Sequence, residues 1–401
     1  MCYYYSIKYN FVYGQLIIQT YFIITTSYGE PYMQTGEHLY KRIDFTKVPG
    51  IKIGNATDKL GQTGLTVFLF DKPAKTGLSI SGGGPASRET PVLDPTKENL
   101  GIHAILLSGG SAFGLAASTG VMQFLEEEGI GFDTGYAKVP LVVQSCIYDL
   151  AYGKASHRPS AQMGYEACLA AYNKSNPQSG LIGGGRGACV GKLAGMARAS
   201  KSGIGYYAIQ LGKLIVGAAV VLNAYGDIFN YKTGEKIAGT MDVSRTNFIN
   251  GLDPFYEKVL PHDLFANHKK ATHNKQNNTV EEKSPISSRD IYKTNKEDIT
   301  VPNKVHRTNT TIGCIFTNGD FDKAELSRIA RQAENGYARC INPVSTLADG
   351  DTIYASSCGN LIEADCNVVG TLAAEVMGFA IMDAIKHSHV SNEEFLANVQ
   401  V

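Results

Sequence analysis

The sequence predicts an α/β protein folded as one composite domain. From about residue 42 onward, short runs of branched and aromatic residues alternate with longer stretches whose apolar residues recur at helical spacing. The last quarter of the chain opens with an apolar strand pattern and is too short to bury that strand by itself. We therefore expect this tail to complete a sheet that the preceding residues begin.

The individual elements follow from the residue pattern along the chain. Branched and aromatic runs predict strands at residues 65–70, 103–107, 213–223, 311–316 and 352–355. Helical spacing of apolar residues predicts helices at residues 111–128, 161–173, 322–340 and 368–386. The first of these helices ends in Glu-Glu-Glu-Gly, and glycine is a typical residue at a helix C-terminus.

The composition argues against several classes of binding partner. Lys and Arg number 37, as do Asp and Glu, so the formal net charge is zero and no nucleic-acid partner is indicated. The eight cysteines include no CxxC pair and are accompanied by no histidine cluster, which indicates reduced, buried thiols in a cytoplasmic protein with neither metal nor cofactor. No membrane partner is expected either.

Two segments depart from this globular pattern. Residues 1–32 are rich in Tyr and Ile, and their apolar stretch is short for a bilayer span. We interpret them as a leader of unknown role, with a weak signal or anchor segment as the alternative. Residues 262–308 are polar and lack periodicity, which predicts an exposed, flexible linker.

The junction Asn309-Thr310-Thr311 is the first candidate for chemistry. It places a hydroxyl at the start of an apolar strand, directly after the polar linker. A cut before Thr310 would free an α-amino group on the residue that carries the hydroxyl, and such an amine has a reference pKa of about 7.7–8.0. Nucleophile and base would then belong to one residue. An ordinary polar loop leading into a strand is the alternative for the tripeptide alone.

Two further motifs carry charged residues. Asp349-Gly350-Asp351 precedes a short strand, and its paired carboxylates could hold an ammonium or a hydroxyl group. A surface turn is the alternative interpretation of this motif. The glycine run at residues 183–187 leads to Gly191-Lys192 but does not fit the phosphate-loop pattern. Lys192 could instead serve as a fixed positive charge near an oxyanion.

Three polar residues at predicted strand ends complete the candidates. Tyr148 and Asn223 could each donate a hydrogen bond to an oxyanion, although such residues more often have structural roles. Ser111 lies in Ser-Gly-Gly-Ser-Ala-Phe-Gly between a strand and a helix, a pattern close to the nucleophile elbow of serine hydrolases. Phe113 replaces the final glycine of that motif, so a Ser111-based esterase is only an alternative hypothesis.

Taken in their order along the chain, these motifs resemble the family of DmpA-type aminopeptidases and 6-aminohexanoate-oligomer hydrolases. Members of this family are self-processing P1-type peptidases with an N-terminal nucleophile. The resemblance covers about residues 45–388. It rests on the segments Gly64-Leu65-Thr66-Val67, Leu107-Ser108-Gly109-Gly110-Ser111-Ala112-Phe113-Gly114-Leu115, Gly191-Lys192, Val221-Leu222-Asn223, Asn309-Thr310-Thr311-Ile312 and Asp349-Gly350-Asp351-Thr352.

The resemblance implies a four-layer αββα sandwich like that of N-terminal-nucleophile hydrolases. It also implies autoproteolysis between Asn309 and Thr310 into a large chain, residues 33–309, and a small chain, residues 310–401. The expected assembly is a homotetramer of such pairs. The expected substrate is a short peptide or an amino-acid amide, and an uncut small-ligand-binding relative on the same scaffold is the non-enzymatic alternative.

The resemblance also implies roles for individual residues. Thr310 matches the nucleophile, while the hydrolases of nylon oligomers place residues that assist the nucleophile or the oxyanion at the positions of Tyr148, Lys192 and Asn223. Asp349 and Asp351 match an acidic pair near the nucleophile. Aminopeptidase members carry Ser at the junction and a Ser/Glu pair at the acidic site. The present sequence follows the Thr and Asp-Gly-Asp version, so the resemblance does not by itself imply β-aminopeptidase specificity.

Overall fold

The computed structural model describes residues 5–12, 15–24, 32–33, 39–98, 101–253, 256 and 309–400. The predicted linker, residues 262–308, lies outside the described residues. The predicted leader, residues 1–32, is described in part and for its backbone alone. The role of either segment remains a prediction.

Twenty-one strands are present within the described ranges. They are β1 Tyr5–Val12, β2 Gln15–Ile24, β3 Tyr32–Met33, β4 Lys41–Ile43, β5 Ile51–Asp58, β6 Thr63–Ala74, β7 Thr76–Ile80, β8 Ser87–Arg88, β9 Ile102–Ser108, β10 Phe132–Asp133, β11 Lys138–Val139, β12 Val142–Cys146, β13 Cys189–Val190, β14 Ser200–Lys201, β15 Ile204–Leu211, β16 Leu214–Asn223, β17 Asp227–Phe229, β18 Lys236–Ala238, β19 Thr310–Gly319, β20 Ile341–Asn342 and β21 Thr352–Ile362.

The α-helices of the described part are α1 Ala117–Glu127, α2 Ala161–Asn173, α3 Lys323–Cys340, α4 Cys366–Lys386 and α5 Asn392–Ala397. Short 3-10 helices lie at Phe45–Lys47, Thr90–Leu93, Ser111–Ala116, Gly183–Gly185 and Met196–Arg198. Several α-helices begin at a side chain that accepts a backbone N–H, as Asp322 does from Glu325 at the start of α3.

Two mixed sheets form the centre of the molecule. One has the strand order β5-β6-β9-β12-β8, and the other has the order β4-β15-β16-β19-β21-β7. Pairing is antiparallel except between β9 and β12 and between β19 and β21. In the second sheet, the tail strand β19 lies between β16 and β21, so residues before and after the predicted linker share one sheet.

The layers follow from the apolar faces of these elements. Helices α1 and α2 pack together and cover the five-stranded sheet, while α3 and α4 pack together and cover the six-stranded sheet. A third core lies between the sheets, where Phe68 and Phe316 approach to 5.1 Å between ring centroids. This arrangement confirms the predicted αββα sandwich and its single composite domain.

The predicted elements agree with this architecture except at one helix start. Residues 161–173 are helical as predicted, and β16 and β19 lie within a few residues of the predicted bounds. The helix predicted at residues 111–128 is wrong in its first six residues, which form a 3-10 helix. Ser111 has a φ of 53°, and this left-handed residue turns the chain before regular α-helix begins.

Helix α4 is apolar because it is a core element. By length and composition it could cross a membrane, but 61% of its most apolar window is buried. It packs on β15 and β16, and residues such as Met377 and Ile381 lie in the core beneath the six-stranded sheet.

Candidate active site

The Asn309–Thr310 junction lies at the first residue of β19, in the interior of the protein. Asn309 is 2% exposed and Thr310 is 4% exposed. Thr310 pairs with Asn223 across the antiparallel β16–β19 ladder, while Asn309 forms a parallel bridge with Asp349. The junction is therefore held between the end of β16 and the predicted acidic turn.

The carbonyl oxygen of Asn309 accepts two hydrogen bonds. One comes from the hydroxyl of Thr310, and the other from the backbone N–H of Gly350 at 3.0 Å. The side-chain nitrogen and oxygen of Asn309 are buried and have no hydrogen-bond partner among the described residues. This is an unusual environment for an amide side chain, because buried polar groups are normally paired.

The two carboxylates of the acidic turn are buried and anchored by backbone N–H groups. Asp349 Oδ2 accepts from the backbone and the hydroxyl of Thr346, at 2.9 and 2.6 Å. Asp351 accepts from Thr311 N at 2.6 Å and from Ser345 N at 3.0 Å. Burial, and then the nearby charge of Asp349, raise the pKa of Asp351 to about 7. The motif is thus no surface turn, and Asp351 can change its protonation state near neutral pH.

Lys192 is a buried cation beside the start of β19. Its Nζ donates to both the main-chain oxygen and Oδ1 of Asn223, each at 2.9 Å. Burial lowers the pKa of Lys192 to about 8, and the charges of Asp349 and Asp351 offset only part of this effect. A minor neutral fraction of Lys192 is therefore available near neutral pH, as a general base requires.

Asn223 connects Lys192 to the loop that carries Tyr148. Asn223 Oδ1 also accepts from Cys189 N at 3.0 Å, and its Nδ2 donates to the main-chain oxygen of Tyr148 at 3.0 Å. These partners fix the orientation of the amide. For Tyr148 the described contact is through the backbone, and its half-buried side chain has no described hydrogen bond to Thr310.

The structure thus brings five of the predicted residues into one cluster at the junction, namely Lys192, Asn223, Thr310, Asp349 and Asp351. It also adds residues that the sequence did not single out. Thr346 and Ser345 hold the carboxylates, and Gly350 contacts the carbonyl of Asn309. The glycine run 82–84 packs on the same turn, where a Cβ on Gly82 would lie 2.2 Å from Asp351 N.

Asp149 is a further buried carboxylate that sequence reasoning missed. It accepts from the hydroxyl of Thr63 at 2.6 Å and from Gly110 N at 2.7 Å, and burial raises its pKa. Through these bonds it fixes the Gly109-Gly110 turn beside Tyr148. The sequence signal that could have identified Asp149 is its position directly after the candidate residue Tyr148.

Ser111, the alternative nucleophile, lacks the partners of a serine hydrolase. Its backbone N–H donates to the oxygen of Ile147, and its hydroxyl has no described hydrogen bond to a histidine. His157 pairs instead with Asp58 at 2.7 Å. The described residues contain no group of three or more His, Cys, Asp or Glu side chains that could hold a metal ion.

Comparison with known proteins identifies the family. The sequence profile of peptidase family S58 matches residues 44–394. The chain belongs to peptidase family S58. This S58 member is 33% identical to an uncharacterised aminopeptidase of Mycobacterium leprae over 78% of each chain. It is 28% identical to a 6-aminohexanoate-oligomer endohydrolase of a Kocuria strain, covering 89% of this chain and 88% of the relative. It is therefore a hydrolase of peptide or amide bonds.

Solved structures show the same fold. The β-aminopeptidase of a Burkholderia species superposes with a TM-score of 0.54 at 17% identity, covering 84% of this S58 chain and 85% of the other. The L-aminopeptidase D-Ala-esterase/amidase of Ochrobactrum anthropi gives a TM-score of 0.56 at 15% identity and 86% coverage of both. The latter is described as a variant of the Ntn-hydrolase fold, in agreement with the αββα layers.

Proposed function

We propose that this S58 member is an autoproteolytic amidohydrolase whose nucleophile is the hydroxyl of Thr310. The observation that carries the proposal is the contact between that hydroxyl and the carbonyl of Asn309, inside a buried cluster that also contains Lys192 and the acidic pair. A hydroxyl, a base with a near-neutral pKa and a polarised carbonyl are the groups that acyl transfer requires.

The first reaction is the cut of the chain itself. Lys192 accepts the proton of the Thr310 hydroxyl, and the oxygen attacks the carbonyl carbon of Asn309. The C–N bond breaks, and the Thr310 nitrogen takes up the proton and becomes a free amine. Water hydrolyses the resulting ester, which leaves a carboxylate on Asn309 and an N-terminal Thr310.

The second reaction is hydrolysis of substrate. The Thr310 amine, with a reference pKa of about 7.7–8.0, takes the proton from its own hydroxyl with the help of Lys192. The hydroxyl oxygen attacks the substrate amide carbon, and the C–N bond breaks as the Thr310 ammonium gives its proton to the leaving amine. Water then hydrolyses the acyl ester, which releases the acyl group as a carboxylate and restores the Thr310 hydroxyl. Asn223 and Tyr148 remain the predicted donors to the oxyanion, in addition to their described contacts.

The substrate we propose is a short peptide or an amino-acid amide with a free amine. The carboxylates of Asp349 and Asp351 lie beside the junction and would attract that ammonium group. The similarity to proteins named aminopeptidase and oligomer endohydrolase supports an exopeptidase or a short-oligomer hydrolase. A panel of amino-acid p-nitroanilides and ω-amino oligomers, assayed with the matured protein, would define the preference.

A matched pair of variants tests the nucleophile. Thr310→Val removes the attacking hydroxyl and keeps the side-chain shape, so we expect a single uncut and inactive chain. Thr311→Val is the control, because the Thr311 hydroxyl is buried without a hydrogen-bond partner among the described residues. We expect that variant to cut normally. Denaturing gels and mass spectrometry of the fragments provide the measurement, and a cut Thr310→Val chain would disprove the assignment.

The proposal includes the location and assembly of the protein. We propose a cytoplasmic enzyme that assembles as a homotetramer of processed pairs and binds neither membrane nor nucleic acid. The balanced charge supports the absence of a nucleic-acid partner, and the free cysteines support the location, six of the described cysteines being buried and Cys366 half-buried. The homotetramer rests on the family resemblance alone. Light scattering of the purified protein would measure the assembly.

A further inference from the structure

The backbone N–H of Gly350 is placed to act on the bond that the proposed self-cleavage breaks. It donates to the carbonyl oxygen of Asn309 at 3.0 Å. Its own peptide plane is held from the other side, because the Asp349 carbonyl accepts from Gly84 N at 2.8 Å. The parallel bridge between Asn309 and Asp349 fixes the register of this contact. The donor is thus aimed at the carbonyl by the bridge to which it belongs and by the Gly84 contact on the opposite side of its peptide plane.

We infer that the Gly350 N–H is the oxyanion donor for the attack by Thr310. When the hydroxyl oxygen adds to the Asn309 carbon, the carbonyl oxygen that Gly350 already contacts takes the negative charge. A hydrogen bond to that oxygen strengthens as the charge develops, so the N–H stabilises the transition state more than the ground state. This inference rests on the proposed function and adds a catalytic group to it.

The identity of residue 350 fits this role. A Cβ at this position would lie 2.8 Å from both Thr310 Oγ1 and the Gly84 carbonyl oxygen. Both distances are too short for real Cβ contacts, so a side chain would displace either the nucleophile or the turn. Glycine lets the N–H reach the carbonyl while the attacking hydroxyl keeps its place.

The flanking carboxylates do not compete for the Gly350 N–H in the described geometry. Their oxygens accept from other groups of the turn and from the first residues of β19, namely Thr346, Ser345 and Thr311. The carboxylates therefore hold the turn in shape, and the N–H between them remains directed at the carbonyl. Once Asn309 has left, the same N–H meets the carbonyl of any substrate that Thr310 attacks.

A backbone ester tests the inference without adding a side chain. Cell-free translation with glycolic acid in place of Gly350 replaces the N–H by an ester oxygen. The loss of one oxyanion donor should slow self-cleavage about 10²–10³-fold. The matched control is the same replacement at Gly84, which removes the hydrogen bond on the opposite side of the same peptide plane. That chain loses a contact that holds the turn but keeps the Gly350 N–H, so it should slow at least about tenfold less than the Gly350 ester.

The cleavage rates of the two ester chains and of the unmodified chain separate failure of the inference from failure of the proposed function. If both ester chains slow equally, the contact merely anchors the turn and the inference is wrong; equal rates for the Gly350 ester and the unmodified chain also overturn it. If the unmodified chain does not cut between Asn309 and Thr310, the proposed function fails, and the inference fails with it.

Folding is checked by thermal melting of each ester in a Thr310→Val background, which cannot cut. Should the Gly350 ester not fold, hydrogen exchange of the Gly350 amide in the uncut Thr310→Val chain is the second measurement. We expect a strongly protected amide proton, because it is bonded to the Asn309 carbonyl. Exchange as fast as that of an exposed amide would overturn the inference.

Discussion

Lys192 and Lys201 form a natural pair for comparison at the residue scale. Both are buried, and burial lowers the pKa of each to about 8. Lys192 donates to Asn223, the strand partner of Thr310, whereas Lys201 donates to the carbonyls of Ala188 and Ser202. Because the two lysines are equally buried but have different partners, Lys201 serves as a control. An effect seen only on replacing Lys192 reports a role as base, and an effect seen on replacing either lysine reports the loss of a buried amine.

We expect self-cleavage to depend on the neutral form of Lys192. Because burial lowers the pKa to about 8, the rate should fall about tenfold for each pH unit well below 8 and level off above it. Lys192→Met should remove this dependence and slow the cut about 10²–10⁴-fold. Time courses on denaturing gels between pH 6 and about 9.5 give the profile.

The control for this prediction is Lys201→Met, which should keep both the rate and the profile within a few-fold. Asp351, with a pKa raised to about 7, could produce a separate step in the profile. The two titrations are distinguishable, because Lys192→Met deletes only one of them. A Lys192→Met chain that retained the step near pH 8 would contradict the assignment of the base.

At the scale of the element, helices α1 and α2 cross at two glycines. A Cβ on Gly120 would lie 1.7 Å from the oxygen of Ala161, and a Cβ on Gly164 would lie 2.0 Å from the oxygen of Ala117. The two helices can therefore approach closely only where both side chains are absent. This crossing buries Val121 and Ala167 in the core under the five-stranded sheet.

Gly164→Ala should therefore force the two helices apart. Overpacking of this kind costs about 1–3 kcal/mol, which outweighs the gain in helix propensity of up to about 1 kcal/mol. We expect a lower melting temperature in a thermal scan. Gln123→Ala, on the exposed face of α1, is the control and should melt nearly as the unmodified protein does. A melting temperature for Gly164→Ala at or above that of the control would contradict this account of the crossing.

The same elements show how far the sequence predicts the structure. Helix α2 is predicted correctly because its apolar spacing is a local signal. The structure adds an N-cap at Ser160, whose side chain accepts from Met163 N. The start of the helix predicted at residue 111 is wrong because Ser111 has a left-handed φ of 53°, which the apolar pattern does not reveal.

Part of the candidate site was likewise predictable from local sequence motifs, and part depends on long-range contacts. The motif order indicated Thr310 and the acidic pair, which the structure brings together. The contact between Gly350 and Asn309 joins positions about forty residues apart in the chain, and strand register alone creates it. Residue types suggest which groups could react, but the directions of the N–H groups depend on the folded backbone.

At the scale of the whole molecule, the proposed cut separates residues 310–401 from a sheet that they help to build. Strand β19 is hydrogen-bonded to β16 on one side and to β21 on the other, and α4 packs on β15 and β16. The core beneath this sheet combines residues from both sides of the cut, such as Val220 and Met377. Removal of the tail would expose a central strand and a large apolar surface.

We therefore expect the two fragments to remain associated after the cut. They should elute together in native gel filtration and separate in urea. Unfolding of the cut protein also releases one fragment from the other, so by mass action its melting temperature should rise with protein concentration. The uncut Thr310→Val chain provides the control, because its unfolding separates no such pair and any concentration dependence that it shows reports oligomerisation alone. Separate elution of the fragments without denaturant, or identical concentration dependence for the two proteins, would mean that the tail does not hold its place in the sheet by packing.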